Sequence, residues 1–489
     1  MARYKPIERG QGYFLTIFPD QLFDENSIEK TIDRFVDDSI STSIFDANSK
    51  NDEVGQRAIS PLLKLKVILY GFSQNIESMR NIERMMRLNH PGFLFLSGGC
   101  IVDHSTLCNF LNENADGIKY VFSRLLMIFE EMKCIKWETI VIDGTRISSN
   151  ASKEQTSNAS GFMKKLKRYE TLSEKILERS RRVNKSHEDK EISDLEAREE
   201  KDRIDRQQKK YSKIIEKIHE YEKEVEAGII TPTEQVNLTD RESRLLKKDE
   251  NYLQGYNIQA AFSNNDILVA IEATDCINDT TLINPMVEHV ETVKNANGNA
   301  HASEYLLDKG YFNVSAMAGL IKTGKAIYVA VPKHFTENWF LNGEHDVVTE
   351  GDKKVFRCKG NRVSSGRICK KENSYEFALS RKFCAECEHI NVCWANKDHV
   401  KRRTFSVKRG YVDNKTIWME YKSKIESIEW QYKYNRRIGK EHNFRDLKAN
   451  NGLSHLYWRG KRKCNTISLI SGIAYNLKKL RKETQNRSH

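Results

Sequence analysis

Glu138-Thr139-Ile140-Val141-Ile142-Asp143 and Tyr305-Leu306-Leu307-Asp308 are short apolar runs that each end in an aspartate. Each is followed within two residues by glycine, as Asp143-Gly144 and Asp308-Lys309-Gly310. Runs of this length read as buried strands. In an open α/β sheet, side chains at such strand ends line the functional crevice. Next to them, Tyr256 to Phe262 and Ile267 to Ala273 form two strand-like runs split by Ser263-Asn264-Asn265-Asp266, a hairpin signal. Asp279 to Val293 reads as a helix, Val314 to Lys322 as another, and Ala326 to Val331 as a strand. This order predicts an α/β core, a mixed sheet covered by helices.

A third acid comes from a helical segment. Tyr434, Arg437, Glu441 and Lys448 stand at i, i+3, i+7 and i+14. At about 100° per residue they would share an arc of roughly 60° on one helix closing the sheet. Asp143, Asp308 and Glu441 then make an all-oxygen set of the kind Mg²⁺ or Mn²⁺ prefers, with positions left for water and phosphate. On that face the carboxylate would hold the cation and the basic Arg437 and Lys448 would hold phosphates, with the Tyr434 phenol beside them. Arg146, close to Asp143 in sequence, and Lys247-Lys248, before the hairpin, are further candidates for phosphate contact. Any one of these residues alone reads as a turn former or a solvated charge.

The rest of the chain divides by composition. Residues 1–135 read as short helices joined by Gly turns, with Pro61 at a first helical position and Asp103-His-Ser-Thr106 as a cap. That pattern suits a helix-turn-helix DNA reader and an ordinary helical bundle equally. Residues 136–335 carry the first part of the core, interrupted at 161–236 by a charged insertion. There Leu166, Tyr169, Ile176 and Val183, then Ile204, Tyr211, Ile218 and Val225, recur at coiled-coil spacing. Two helices with a break near Asn184 to His187 predict a coiled hairpin. Residues 336–404 are Cys-rich, and residues 405–489 return to the core with Glu441. The cluster reads either as a zinc site held by Cys358, Cys384, Cys387 and Cys393, with Cys369 as a substitute, or as five reduced thiols.

The 489 residues contain 80 Lys+Arg against 68 Asp+Glu, a net charge of +12 that is consistent with a polyanionic partner. With 39% hydrophobic residues the chain supports real cores. No apolar run is long enough to cross a bilayer and the N-terminus has no apolar signal core. A cytosolic, nucleoid-associated location is therefore expected, with the ten cysteines reduced or metal-bound.

Taken together, Val141-Ile-Asp143-Gly-Thr-Arg146, Leu307-Asp308-Lys-Gly-Tyr311 and the Tyr-x2-Arg-x3-Glu-x6-Lys spacing of Tyr434, Arg437, Glu441 and Lys448 resemble the DDE transposases of bacterial insertion sequences. The resemblance extends to Gly255-Tyr-Asn-Ile-Gln-Ala-Ala261, Asp279 with Leu282, Ile473 to Lys478, Leu69 to Ser73, Arg80 to Glu83 and Asp103 to Thr106, so it covers nearly the whole chain. It implies a ribonuclease-H-like catalytic core, with Asp143, Asp308 and Glu441 as its catalytic, metal-binding triad. It also implies Mg²⁺- or Mn²⁺-dependent cleavage and strand transfer on double-stranded DNA, at inverted-repeat ends and at a target. Pairing two ends calls for at least two protein copies, so a homodimer is expected. Two alternatives remain open: a metal-dependent nuclease without strand transfer, and a non-catalytic DNA-binding protein derived from a transposase.

Overall fold

The structure is a computed structural model. It describes residues 18–46, 58–189, 193–299, 303–343, 345–380, 382, 384, 387–389 and 402–488, apart from the side chains of Asp46, Arg402, Arg403, Glu441 and Ser488. It divides into two units, one of Met1–Met132, Ala449–Gly452 and Ile470–His489, the other of Lys133–Lys448 and Leu453–Leu469.

The first unit holds α1 (Ile28–Ser39), α2 (Pro61–Ser73), α3 (Met79–Arg87), α4 (Pro91–Ser97), α5 (His104–Glu113) and α6 (Ala115–Glu131). Pro61 opens α2, where a missing N–H leaves no bond unmade. Asp103 caps α5, accepting from the Thr106 amide at 3.0 Å. The helices approach closely at Gly92, where an added Cβ would lie 2.2 Å from the Tyr70 ring. Lys66, buried between helices, is neutralised by Asp33 at 2.6 Å and Asp37 at 2.7 Å.

The second unit is built on one mixed sheet. Its strands are β1 (Thr139–Ser148), β2 (Arg244–Lys248), β3 (Asn251–Ser263), β4 (Leu268–Thr274), β5 (Glu304–Leu307) and β6 (Ala326–Val329). β4 and β2 pair antiparallel with β3, β3 antiparallel with β1, and then β5 and β6 join in parallel. Antiparallel β4, β3 and β1 followed by parallel β5 and β6, with β2 also pairing to β3, make the ribonuclease-H-like arrangement that the resemblance implies. Ile140, Ile142, Leu306 and Leu307 are fully buried at its centre, and burial on both faces explains their unbroken apolar runs. Strand β2 returns into β3 through a tight turn in which Asp249 takes φ 54°.

The charged insertion forms two long helices, α7 (Ala159–Glu188) and α8 (Asp194–Glu226). α7 continues to Glu188, past the expected break at Asn184 to His187, and Ser193 and Glu196 form a capping box that starts α8. Phe162, Leu166, Ile214, Ile218 and Tyr221 pack together with Val236 and Leu238, so the hairpin base has its own small core. α9 (Ile283–Ala296) precedes β5, and α10 (Val314–Lys322) lies on the β5–β6 crossover.

The Cys-rich insertion is β-structured. β7 (Asp346–Glu350), β8 (Lys353–Arg357) and β9 (Val363–Ser365) form one sheet, and β10 (Arg367–Cys369), β11 (Ser374–Ser380) and β12 (Arg402–Lys408) another. An aromatic cluster of Trp339, His345, Phe356, Phe377 and Phe405 joins them, with Phe356 and Phe405 centroids 4.5 Å apart. The chain then runs through α11 (Lys415–Ile425), α12 (Ile428–Asn435), α13 (Glu441–Asn450) and α14 (Lys461–Ser488).

The expected continuous helix through Tyr434, Arg437, Glu441 and Lys448 is not formed. α12 ends at Asn435, a 3-10 turn occupies Ile438–Lys440, and α13 begins at Glu441. Gly439 lowers helix propensity there, and Arg436 and Lys440 are drawn onto the sheet by polar contacts given below. Among the described residues, no helix is long and apolar enough to cross a membrane.

Candidate active site

Strand register brings the two aspartates together. β1 and β5 are parallel, with Val141 opposite Leu306 and Ile142 opposite Leu307. The next residue on each is an aspartate, so Asp143 and Asp308 stand side by side where the parallel ladder stops. β1 itself continues to Ser148 along β3, so Asp143 lies mid-strand and not at its end. β5 does end, and Asp308 caps the following turn by accepting from the Gly310 amide at 2.6 Å. Asp143 accepts from the Gly144 amide at 2.9 Å.

Burial pushes the Asp143 carboxyl up to about 6, helped by the nearby Asp308 and Asp279 charges and opposed by the Gly144 amide and Arg437. The Arg437 guanidinium lies 3.7 Å from it. Arg437 is half-buried, yet it is held in its charged form above the ordinary range, with burial opposed by Tyr434 and Asp143. Tyr434 in turn stacks on Trp430, with centroids 5.0 Å apart and an angle of 11°. Tyr434, Arg437 and Asp143 therefore form one connected patch despite the broken helix.

The glutamate arrives on a helix anchored by polar side chains. Lys440 donates to Asp266 at 2.6 Å and to the Asn264 carbonyl at 2.7 Å in the β3–β4 turn. Asn443, fully buried, donates to the same Asp266 carboxylate at 3.1 Å. Arg436 bridges Glu304 and Asn264, and Phe444 packs edge-on against Phe262 at 5.7 Å. The polar run His442-Asn443-Phe444-Arg445 thus docks the first turn of α13 onto the sheet. The Glu441 side chain lies outside the described residues. Its backbone opens the helix that these contacts fix.

Lys448, seven residues on, is half-buried. Burial and neighbouring Lys248 push its ammonium down, with Asp143 pulling the other way. Lys448 therefore lies within electrostatic reach of both Asp143 and Lys248, the last residue of β2. Lys247 pairs across with Tyr252 at the same hairpin tip. Arg146 is not brought to Asp143. Three residues along a strand puts it on the opposite sheet face, with its Nε buried and unbonded among the described residues.

Two buried-face strand residues and two flanking ones escaped the sequence reading as site residues: Asn257, Gln259, Asp279 and Tyr311. Asp279 Oδ1 accepts from Asn257 at 2.7 Å and Gln259 at 2.9 Å, and Gln259 accepts from the Tyr311 hydroxyl. Asp279 opens a 3-10 turn before α9 and lies beside the aspartate pair. The sequence signal was polar Asn257 and Gln259 alternating on one face of an otherwise apolar strand.

The donor chemistry suits a hard divalent cation: half-buried carboxylates, one with a raised pKa, set among oxygen and cationic groups. Among the described residues no three His, Cys, Asp or Glu side chains already form a metal-sized cluster. In the Cys-rich insertion, a Cβ on Gly360 would lie 2.9 Å from Cys387 Sγ and 3.8 Å from Cys358 Sγ, so these two sulfurs converge. The Arg362 amide donates to Cys358 Sγ at 3.3 Å, and the Cys387 amide to the Cys384 carbonyl at 3.2 Å. Cys369 stands on β10, and Cys393 is outside the described residues.

Two family descriptions match the sequence: Transposase domain (DUF772) over residues 18–113 and Transposase DDE domain over residues 357–481. The second spans Tyr434, Arg437, Glu441 and Lys448, while Asp143 and Asp308 fall between the two matches. No curated protein matches the chain. Among solved structures, the piggyBac transposase synaptic complex with hairpin DNA aligns at 9% identity and TM-score 0.28, covering 95% of this chain and 74% of that one. That superposition is too loose to define a common fold.

Proposed function

We propose that in this chain, a DDE transposase by its two matched domains, Asp143, Asp308 and Glu441 hold the divalent metal that such a domain depends on. Mg²⁺ or Mn²⁺ fits this all-oxygen set best. What the ion supplies, when bound, is a more acidic attacking oxygen and a stabilised leaving oxygen on phosphorus.

The chain's own residues do the rest. Asp143 and Asp308 present adjacent carboxylates because their strands are in register, and α13 carries Glu441 to the same crevice. Arg437, held beside Asp143 by Tyr434, and the Lys248–Lys448 pair present cations to a DNA backbone entering the crevice. Lys247 extends that grip along the hairpin tip. The reaction at this site would nick inverted-repeat ends and pass the freed 3′-hydroxyl to target DNA. Two protein copies would pair two ends, with the α7–α8 hairpin as their contact, in a cytoplasmic, nucleoid-associated setting.

The observation that carries the reading is the parallel register of Ile142 with Leu307, which sets two carboxylates side by side. A supercoiled plasmid bearing the flanking inverted repeats, incubated with Mg²⁺ and a labelled end oligonucleotide, tests it. End cleavage with a joined product is expected from wild type and neither from Asp143→Ala. Cleavage without joining would favour a nuclease, and equal cleavage by both proteins would remove Asp143 from the reaction. Convergence of Cys358 and Cys387 supports a structural Zn²⁺ in the insertion, with Cys384 and Cys393 as its other candidate ligands. Metal analysis of the purified protein showing no zinc would sink that part.

A further inference from the structure

We infer that Asp279 is a positioning residue of the metal-holding carboxylates, acting on Asp308 and Asp143 from the far face of the sheet. This rests on the metal site proposed above.

Gly144 alternates with Asp143 along β1, so it faces the other side of the sheet. On that side, a Cβ at residue 144 would lie 2.5 Å from Gln259 Nε2, 3.1 Å from Asp279 Oδ1 and 3.2 Å from the Tyr311 hydroxyl. A Cβ at Gly310 would lie 2.9 Å from Asp308 Oδ1 and 3.3 Å from Asp279 Oδ2. Two side-chain-free positions thus open the space that Asp279 fills, one under each aspartate.

Each oxygen of Asp279 faces a different part of the site. Oδ1 is held by the amides of Asn257 and Gln259 at 2.7 and 2.9 Å. Gln259 is oriented by Tyr311, which is fully buried and belongs to the turn that Asp308 caps. Oδ2 is turned towards Gly310, whose amide holds Asp308. Strand β3 and the turn after β5 are therefore tied through one carboxylate, which packs against the backbone of β1. The network fixes where Asp308 points, and the added negative charge deepens the attraction for a dication shared by Asp143 and Asp308.

A carboxamide at this position would accept from Asn257 and Gln259 as the carboxylate does, so Asp279→Asn removes the charge and keeps the scaffold. Mn²⁺ titration of the full chain by calorimetry, with thermal unfolding alongside, is the test. Asp279→Asn is expected to unfold at the wild-type temperature and to bind Mn²⁺ about tenfold more weakly. The Mg²⁺ needed for half-maximal end cleavage should rise by the same factor, with the rate at saturation retained. A folded Asp279→Asn protein with wild-type Mn²⁺ affinity overturns the inference. Should that variant fail to fold, Tyr311→Phe takes its place, with weaker Mn²⁺ binding expected and unchanged binding contradicting the role. Asp143→Asn separates the two levels. If it too binds Mn²⁺ as wild type does, the proposed metal site fails, whereas loss in Asp143→Asn alone leaves the site standing without Asp279.

Discussion

Asp143 and Asp308 owe their places to backbone, whereas Glu441 owes its place to side chains. The aspartates stand one residue past a parallel ladder that runs from Thr139 opposite Glu304 to Ile142 opposite Leu307, so the backbone pairing of β1 and β5 sets them side by side. The glutamate opens a helix that follows a broken segment, and Lys440, Asn443 and Arg436 fasten that segment to Asp266, Asn264 and Glu304. A backbone-defined half of a site tolerates surface change and responds to packing. A side-chain-defined half fails when a single polar anchor is lost.

The comparison can be broken most severely at the aspartates. Asp308→Ala removes a proposed ligand but leaves β5 and its neighbours intact. Several kcal/mol of transition-state stabilisation disappear with it, so end cleavage should fall about a thousandfold while circular dichroism stays as wild type. A residual rate within tenfold of wild type would deny Asp308 a ligand role.

Asp266→Ala attacks the other half at a distance. It should cost about ten- to a hundredfold in cleavage rate, because misplacing one reacting group by an ångström is enough. DNA binding in a mobility-shift assay should persist. If the rate does not change, α13 is held by its apolar contacts (Phe444 on Phe262 and buried Leu447) and the contrast between the halves collapses.

Gly144→Ala tests packing beneath β1. The added methyl meets Gln259 at 2.5 Å, and overpacking of this kind costs about 1–3 kcal/mol, to be read in denaturant unfolding.

The Asp143 shift gives a pH dependence with a definite sign. In the unfolded chain the carboxyl titrates near 3.8, in the folded chain at about 6. Between these values only the folded state keeps the proton, so its contribution to stability declines as pH rises through about 6. In metal-free buffer at pH 7.5, Asp143→Asn should therefore be more stable than wild type, by up to about 3 kcal/mol. The gap should close below about pH 4. Added Mg²⁺ should stabilise wild type and leave the variant unmoved.

The smallest effect belongs to the basic rim. Lys248→Ala should weaken DNA binding alike for all sequences and reduce the salt slope by about 1. A sequence-dependent loss would instead make Lys248 a reader of bases.

What the sequence disclosed follows the same divide. The strands around Asp143 and Asp308 were legible because burial on both faces leaves an unbroken apolar run, and the acid that closes each run stands out against it. Pro61, the Asp103 cap and the seven-residue repeats were legible because local chemistry sets them. The break between Asn435 and Glu441 was not, because an angular reading assumes an uninterrupted helix and cannot sense distant anchors such as Asp266. The β-strands of the Cys-rich insertion were hidden because their aromatic residues pair across long separations, Trp339 with Phe405 for example. Asp279 was seen only as part of a resemblance, since its role depends on two glycines and a tyrosine from three other segments.

Glu441, at the start of α13, is the proposed third carboxylate of the site. The direct measurement is Mg²⁺-dependent cleavage of DNA carrying the chain's own flanking inverted repeats, wild type beside Glu441→Ala, with DNA binding and thermal unfolding recorded for both. Wild type should nick the ends, and Glu441→Ala should bind and fold equally well and cut nothing. Equal cleavage by the two proteins would contradict a three-carboxylate site completed by α13.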